Sequence, residues 1–386
     1  MSTSPSTTWQ ATPSYAYFDY ASSFPPANVA LDVMARAARE SWGHPGSLHD
    51  YGSRAARALD DARRSVAEYL GTPWQEVVFT TSTRDGLAMA LDHVLASLPP
   101  GTTIAASRQD HPALLKLLIR AGEMGHATVF LSLPEGQATE DDRKTVASAS
   151  LVLLSMVNHE LGTSNRSLLE AVGPKTVRIV DAAQGCAFLP MDWLNDGRTY
   201  YAMGGAKLGA PGGVGVLRVP VAEFYAARTL GTPFEGDTVA WLPAIGLGAV
   251  CAERRLARSE LFRVARERER ELWEVMRAAS PDVVVNGADG LRTGTILNVS
   301  FSGVSGKALS SALGLERICI SHTSACQASR ADASPVVRAA YLGSPERAVG
   351  ATRWSLSESV TKDDIERVAS VLPRVLAMSR DPGRRP

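Results

Sequence analysis

Short apolar runs alternate with helix-like stretches between about residue 70 and residue 220. The runs are rich in Val, Ile and Leu, and the clearest of them are 76–81, 103–107, 127–133, 150–157, 176–181 and 213–219. Continuous apolar runs separated by helices are typical of parallel strands that helices cover on both faces. The sequence therefore predicts a large α/β domain built around a sheet of six or more strands.

The pattern changes after Gly248. A long charged segment follows, and its apolar residues recur at near-helical spacing, which predicts a helix that connects two domains. Beyond it, 295–301 and 317–321 read as strands, and 361–378 reads as a closing helix with Thr361 at its N-cap. We therefore expect a smaller α+β domain in this part of the chain.

These patterns divide the chain into three parts. Residues 1–14 are rich in Ser, Thr and Pro and predict a disordered tail. Residues 15–248 form the predicted large domain, and residues 249–386 the small one. We expect the N-terminal segment of the large domain to contribute to the small domain as well.

Composition excludes several classes of function. The 40 basic and 40 acidic residues cancel, so no long-range field would attract nucleic acid or an anionic membrane surface. The N-terminus has no basic segment followed by an apolar core, and no stretch reaches the ~18 apolar residues of a membrane span. The 4 cysteines show no CxxC spacing, which favours reduced thiols over disulfides or a zinc knuckle. We expect a cytoplasmic protein.

Lys207 differs from the other five lysines in its surroundings. It lies in YYAMGGAKLGAPGGVGV, which contains no second charge between Arg198 and Arg218, and its neighbouring glycines let backbone approach a bound group closely. A desolvated amine loses its proton more easily, as a lysine that bonds to an aldehyde must. The alternative is a lysine that extends from a Gly-rich loop into solvent.

Two further segments place polar groups where strands end. In FTTSTRDG, Ser82, Thr83 and Arg84 lead into a helix whose free amide hydrogens and dipole could hold a phosphate, although an ordinary helix cap gives the same pattern. In IVDAAQG, Asp181 ends a buried strand, so its carboxylate should enter the ligand crevice and need a cationic partner. A cap of the next turn is the alternative for Asp181.

Three more residues carry groups suited to chemistry. His111 follows the strand at 103–107 and could stack on a flat ring or transfer a proton, unless it is a surface turn histidine. Cys326 lies among small polar residues, where a thiol is exposed and reactive. Arg353 could hold a carboxylate or lie on the surface. The remaining histidines lack the spacing of metal ligands, so we expect no metal.

The order of these residues resembles the class V aminotransferase superfamily of pyridoxal-phosphate enzymes, and specifically its cysteine desulfurase branch. The resemblance covers nearly the whole chain, from YFDYASSFPP at residue 17 to the closing helix. The matching segments are HPGSLHDYGSRA (44–55), FTTSTRDG (79–86), DHPA (110–113), VNHELGT (157–163), VDAAQG (180–185), FEGDT (234–238), SHTSACQAS (321–329) and RWSL (353–356). It implies fold type I of the pyridoxal-phosphate-dependent transferases, with a mostly parallel seven-stranded sheet between helices and a smaller α+β C-terminal domain.

The resemblance implies a role for each matching residue. By this resemblance, Lys207 would bond covalently to the cofactor, Asp181 would pair with its pyridine nitrogen, and the catalytic His111 would stack on its ring. Asn158 and Gln184 would donate hydrogen bonds to its phenolic oxygen. Thr83 and Arg84 would contact its phosphate. Thr238 would reach the phosphate of the neighbouring subunit, which implies a homodimer. Arg353, with Asn158, would bind the substrate, and Cys326 would accept its sulfur.

Four positions depart from the family pattern. The family usually has Ser-x-His-Lys at the cofactor lysine, whereas Gly204-Gly205-Ala206-Lys207 lacks the hydroxyl and the imidazole. Arg84 stands where the family commonly has threonine, and one charged, forked donor could replace both lost phosphate contacts. Asp237 also replaces a family glycine beside Thr238.

The activity implied by the resemblance is desulfuration of L-cysteine to L-alanine, with a persulfide formed on Cys326 and passed to an acceptor protein or small molecule. A second set of activities keeps the cofactor and does not use Cys326. It comprises a carbon–sulfur lyase, a selenocysteine lyase, a transaminase and an epimerase. A scaffold without catalysis is the remaining alternative.

Overall fold

The computed structural model describes residues 15–229, 234, 239–288, 291–323 and 332–380. The tail predicted at 1–14 lies outside these residues. The strands are β1 (Ala16–Tyr17), β2 (Val77–Thr80), β3 (Thr103–Ser107), β4 (Ala127–Leu131), β5 (Leu151–Ser155), β6 (Val177–Asp181), β7 (Thr199–Gly204), β8 (Gly215–Arg218), β9 (Val284–Asn286), β10 (Ile296–Ser300), β11 (Ile318–Cys319) and β12 (Ala351–Ser355).

Helices occupy much of the remaining chain. They are α1 (Asn28–Glu40), α2 (Asp50–Leu70), α3 (Thr83–Leu95), α4 (Pro112–Glu123), α5 (Glu140–Ser148), α6 (Arg166–Glu170), α7 (Val221–Thr229), α8 (Trp241–Ala279), α9 (Gly306–Leu315), α10 (Pro335–Ala340), α11 (Pro345–Gly350) and α12 (Lys362–Ser379). Thr361 caps α12, as predicted, in a capping box with Asp364. No helix in the described part of the chain is long and apolar enough to cross a membrane.

A seven-stranded sheet forms the centre of the larger core, in the order β2-β8-β7-β6-β5-β3-β4. Every neighbouring pair is parallel except the two that involve β8. Each of the six apolar runs contains one strand of this sheet, so all six predicted strands are confirmed. The connection from Gly204 to Gly215 is shorter than the dozen or more residues that a parallel crossover needs, so β8 returns antiparallel to β7.

Strand β5 illustrates how both faces of this sheet are covered. Val152 and Leu154 belong to the core shared with α2 and α8, whereas Leu151 and Leu153 belong to the core shared with α3 and α4. Successive side chains of a strand point to opposite faces, so a strand covered on both sides must be apolar throughout. This burial explains the continuous apolar runs in the sequence.

The second core contains the three-stranded sheet β12-β10-β9 and the pair β1-β11. The N-terminal segment joins this core, because Ala16 pairs with Ile318 and the Phe18 ring packs edge-on against Trp354, with 5.6 Å between ring centroids. Helix α8 packs on α1 and α2 and also on α12, and so contacts both cores. The predicted boundary at residue 248 falls inside this continuous helix and stays a prediction.

Candidate functional site

The candidate site lies at the carboxyl ends of three neighbouring parallel strands. Asn158 follows β5, Asp181 is the last residue of β6, and Lys207 ends the short 3₁₀ turn that follows β7. Strands β5, β6 and β7 pair in that order, so the three residues meet at one edge of the sheet. Ligand crevices of open α/β sheets form at this edge.

The Lys207 side chain is largely buried, and two backbone carbonyls hold its amine. Nζ donates to the carbonyl oxygen of Ala21 at 2.7 Å and to that of Ser22 at 2.5 Å. Burial lowers the pKa of Lys207, Arg353 lowers it further, and Asp181 opposes both. An amine in this state loses its proton more readily than a solvated lysine and can then attack a carbonyl carbon.

Asp181 is buried beside this amine. Its Oδ1 accepts a hydrogen bond from the backbone N–H of Ala183 at 2.9 Å. Burial raises the pKa of Asp181 to about 6, while the Ala183 N–H and the Lys207 charge act in the opposite direction. The carboxylate is therefore placed to pair with a cationic group that enters the crevice.

Asp110 is a second buried acid at this edge, and the sequence analysis did not assign it a role. It accepts hydrogen bonds from the hydroxyl and the backbone N–H of Ser155, at 2.5 and 3.1 Å. Burial raises the pKa of Asp110 to about 7, against these hydrogen bonds, and Asp181 contributes in the same direction as burial. Its place just after β3, at the same edge as Asp181, is the signal that could have identified it.

His111 caps the start of α4, where its Nδ1 accepts from the backbone N–H of Ala113 at 3.2 Å. Its ring meets that of His159 edge-on, with 5.0 Å between ring centroids. Burial lowers the pKa of His111 to about 4, and Lys207 and Arg353 add to the effect. The ring is therefore neutral at pH 7, and because Nδ1 is an acceptor its proton resides on Nε2.

Arg353, on β12, is 2% exposed. Its Nη1 donates to the carbonyl oxygen of His159 at 2.9 Å, and its Nη2 donates to Asp19 Oδ1 at 2.8 Å and to Ser22 Oγ at 2.7 Å. Its buried Nε has no hydrogen-bond partner within the described part of the chain. A buried donor of this kind is unsatisfied, and a carboxylate oxygen is the type of acceptor that would satisfy it. The sequence analysis missed Asp19.

Asn158 and Gln184 lie in different settings. Asn158 is buried, and its Oδ1 accepts from the backbone N–H groups of Glu160 and Leu161 at 2.9 Å, while its Nδ2 donates to the Gln109 carbonyl at 2.8 Å. Gln184 Nε2 donates to the Ala21 carbonyl at 2.9 Å. Its side chain and that of Lys207 line a cavity of about 10 Å³.

The predicted phosphate residues lie at the start of α3, where the Ser82 hydroxyl accepts from the Asp85 N–H at 3.1 Å. A Cβ at Gly204 would lie 2.9 Å from Thr83 Oγ1, so the absence of a side chain there lets the Thr83 hydroxyl approach the end of β7. Arg84 is exposed beside it. Free amides, a hydroxyl and a guanidinium at one helix start fit a phosphate group.

Two predicted residues, Cys326 and Thr238, lie outside the described residues, as does Asp237. The thiols that the structure describes are those of Cys186, Cys251 and Cys319. Burial raises the pKa of Cys186 to about 12 and that of Cys251 further, so neither supplies a thiolate near neutral pH.

A much larger cleft, of about 1670 Å³, lies beside strand β4. Its described lining includes Arg108, Phe130, Lys307 and Asp332, and includes none of the residues that surround the amine. Cavity size alone therefore does not identify the reactive centre of this protein.

Comparison of the sequence with known proteins identifies one family and relatives that cover most of the chain. The sequence profile of the family described as Aminotransferase class-V matches residues 16–368. A cysteine desulfurase of Nostoc sp. is 29% identical over 354 residues, which cover 88% of this chain and 87% of the relative. The cysteine desulfurase NifS of Azotobacter vinelandii is 30% identical over 359 residues, which cover 89% and 88%.

Solved structures share the fold. A NifS-like protein superposes with a TM-score of 0.82 at 20% identity, covering 95% of this chain and 100% of that one. The apo cysteine desulfurase of Thermococcus onnurineus NA1 superposes with a TM-score of 0.81 at 19% identity, covering 94% and 95%. The likeness confirms the predicted fold class.

Proposed function

This chain belongs to the class-V aminotransferase family, and we propose that it is a pyridoxal-phosphate-dependent cysteine desulfurase. The reaction removes sulfur from L-cysteine, yields L-alanine and leaves a persulfide on Cys326. One observation carries the proposal, namely that Lys207 presents a largely buried amine, held by the Ala21 and Ser22 carbonyls, whose pKa is lowered by burial and by the charge of Arg353.

Pyridoxal phosphate fits the residues of this crevice. Lys207 would bond to its aldehyde, Asp181 would pair with its pyridine nitrogen, and the neutral His111 would stack on its ring. Bound in this way, the cofactor supplies an electron sink for chemistry at the substrate Cα. Asn158 and Gln184 would donate to its phenolic oxygen.

The start of α3 would bind the phosphate of the cofactor. The Thr83 hydroxyl and the helix amides supply neutral donors, and Arg84 supplies a charged one. Charge-assisted hydrogen bonds are about twice as strong as neutral ones, so Arg84 can compensate for the serine and histidine that Gly204 and Ala206 replace. Arg84→Ala should therefore release the cofactor readily in equilibrium dialysis, and an unchanged affinity would refute this role.

Residues of this site carry out substrate binding, proton transfer and sulfur transfer. Arg353 pairs with the substrate carboxylate through its unpartnered Nε, which orients the substrate Cα. Lys207 Nζ, which burial predisposes to the neutral state, takes the Cα proton. The Cys326 thiolate then attacks the substrate sulfur. A sulfur–sulfur bond forms, the carbon–sulfur bond breaks, and its electron pair returns to the carbon, which takes up a proton and becomes the alanine methyl group.

We also propose a homodimer in the cytoplasm. Large apolar side chains are exposed on and between α1 and α2, and Leu48 is 100% exposed, which would be costly on a monomer surface. The members of this patch are Leu31, Trp42, Leu48 and Tyr51. Thr238 would reach the partner's cofactor, and the free thiols of Cys186 and Cys251 suit a reducing compartment.

The activity is tested by incubating holoenzyme with L-cysteine and a reductant and measuring alanine and sulfide together. Wild type should form both in equal amounts, and Cys326→Ala should form neither. Cys319→Ala is the matched control and should retain activity. Turnover by Cys326→Ala would instead indicate a lyase, a selenocysteine lyase, a transaminase or an epimerase. Absence of cofactor uptake would refute the proposal as a whole.

A further inference from the structure

Glu160 carries a carboxylate that the proposed reaction does not use. It lies in the turn that follows β5 and is 0% exposed. Its Oε1 accepts a hydrogen bond from the Thr323 hydroxyl at 2.8 Å, and its Oε2 accepts one from the Ser334 hydroxyl. Both hydroxyl-bearing residues are also 0% exposed, so these bonds are shielded from water.

The two hydroxyls belong to the two ends of one chain segment. Thr323 immediately precedes residues 324–331, which include Cys326, and Ser334 follows them closely. A single carboxylate therefore joins both ends of the segment that bears the proposed sulfur acceptor. Hydrogen bonds to a charged acceptor are about twice as strong as neutral ones, and breaking one here would leave a buried hydroxyl without its acceptor.

Backbone contacts fix the turn that carries Glu160. Its N–H donates to Asn158 Oδ1 at 2.9 Å, and its carbonyl oxygen accepts from Asn298 Nδ2 at 3.2 Å. The preceding carbonyl, that of His159, accepts from Arg353 at 2.9 Å. The same short turn is thus bonded to a predicted cofactor residue, to the predicted substrate arginine and to both ends of the Cys326 segment.

From these contacts we propose that Glu160 is a positioning residue for sulfur transfer. It holds Thr323 and Ser334 at a fixed place relative to Arg353, and so fixes the two described ends of the segment that bears Cys326. The inference rests on the proposed function, because it takes Cys326 as the acceptor. The role does not involve Lys207, so loss of the Glu160 carboxylate should leave cofactor binding intact.

Two variants of Glu160, one that changes its charge and one that changes its length, distinguish a positioning role from a requirement for the negative charge. Glu160→Gln keeps the length needed to reach both hydroxyls, whereas Glu160→Asp keeps the charge and is one methylene too short to span them. In single-turnover mixing of holoenzyme with L-cysteine, we expect persulfide formation on Cys326 to slow by tenfold or more in Glu160→Asp and by threefold or less in Glu160→Gln. The KM for cysteine should stay within twofold in both, since Arg353 is unchanged.

Tryptic cleavage after Arg330, which lies in the same segment, supplies a readout that does not depend on catalysis. Cleavage should be at least fivefold faster in Glu160→Asp than in wild type. Thr323→Val, which removes one hydroxyl without changing the shape of the side chain, should cause a smaller increase, and it keeps the test available if the Glu160 variants fail to fold.

The outcomes distinguish the two proposals. Unchanged cleavage and unchanged persulfide formation in Glu160→Asp would overturn the positioning role. A slowing of persulfide formation that is equal in Glu160→Gln and Glu160→Asp would overturn it as well. Full desulfuration by Cys326→Ala would instead overturn the proposed function, while the cleavage rates would still report whether Glu160 holds the segment.

Discussion

The ion pair between Asp19 and Arg353 leads to a prediction in which stability and substrate affinity change in opposite directions. Arg353 Nη2 lies 2.8 Å from Asp19 Oδ1, and the two side chains are 2% and 18% exposed. Removing one partner of a buried pair leaves an uncompensated charge, which costs about 3–5 kcal/mol. Asp19→Asn keeps a hydrogen-bond acceptor but loses the charge, so we expect the lower end of that range.

Substrate affinity should improve in the same variant. The Asp19 carboxylate binds Nη2 and partly neutralises the guanidinium whose unpartnered Nε we propose for the substrate carboxylate, so the charge of Asp19 weakens the attraction of Arg353 for the substrate anion. Asp19→Asn should therefore lower the KM for cysteine by about tenfold, which corresponds to about 1.4 kcal/mol. Stability would be measured by urea unfolding of the cofactor-free protein, and KM by steady-state alanine formation with the holoenzyme.

The chain offers a matched control in the exposed pair of Arg120 and Asp92. Its N–O distance is also 2.8 Å, but the two side chains are 48% and 49% exposed. Asp92→Asn should therefore cost only about 0–1 kcal/mol and leave KM unchanged. A destabilisation as small in Asp19→Asn would refute the buried-pair reasoning, and a raised KM would show that Asp19 orients Arg353 rather than weakening its attraction for the substrate.

Three further predictions concern other parts of the molecule. Gly204→Ser should destabilise the protein by about 1–3 kcal/mol through overpacking against Thr83 Oγ1, and Thr83→Ala should relieve most of that cost in urea unfolding. Leu48→Asp should shift the protein from dimer to monomer in light scattering, and an unchanged mass would exclude this surface from the interface. The pKa of Asp110 is raised to about 7, so the folded protein retains a proton that the unfolded chain has lost. Stability of the cofactor-free protein should therefore fall as pH rises from 4 to 7, and Asp110→Asn should flatten that profile.

Periodicity predicted most of the fold because burial on both faces leaves a continuous apolar run. Strand β7 was missed, since TYYAMG contains no Val, Ile or Leu and its tyrosines do not distinguish a buried strand from a loop. The prediction that β8 is a parallel strand was wrong, because β8 pairs antiparallel to β7. An apolar run has the same pattern in either orientation. The length of the connection before it determines its direction.

The sequence proposes site residues where a residue and its neighbours in sequence carry the signal, and these assignments stay predictions. Lys207 lies in a stretch free of other charges, and Asp181 ends a recognisable strand. Asp19 was missed because its partner Arg353 lies 334 positions away, a distance over which composition and periodicity carry no information. Glu160 was missed for the same reason, since its hydroxyl partners lie 163 and 174 positions along the chain.

The segment from Asp19 to Ser22 explains how two cations can share one buried site. Burial lowers the pKa of Lys207, and the charge of Arg353 lowers it further. The segment supplies carbonyl oxygens to the amine and a carboxylate to the guanidinium, so it compensates both groups at once. Arginine side chains keep their charge in proteins, so the cost of sharing the site falls on the lysine. The amine is therefore the group that gives up its charge more readily, as the bond to an aldehyde that we propose for it requires.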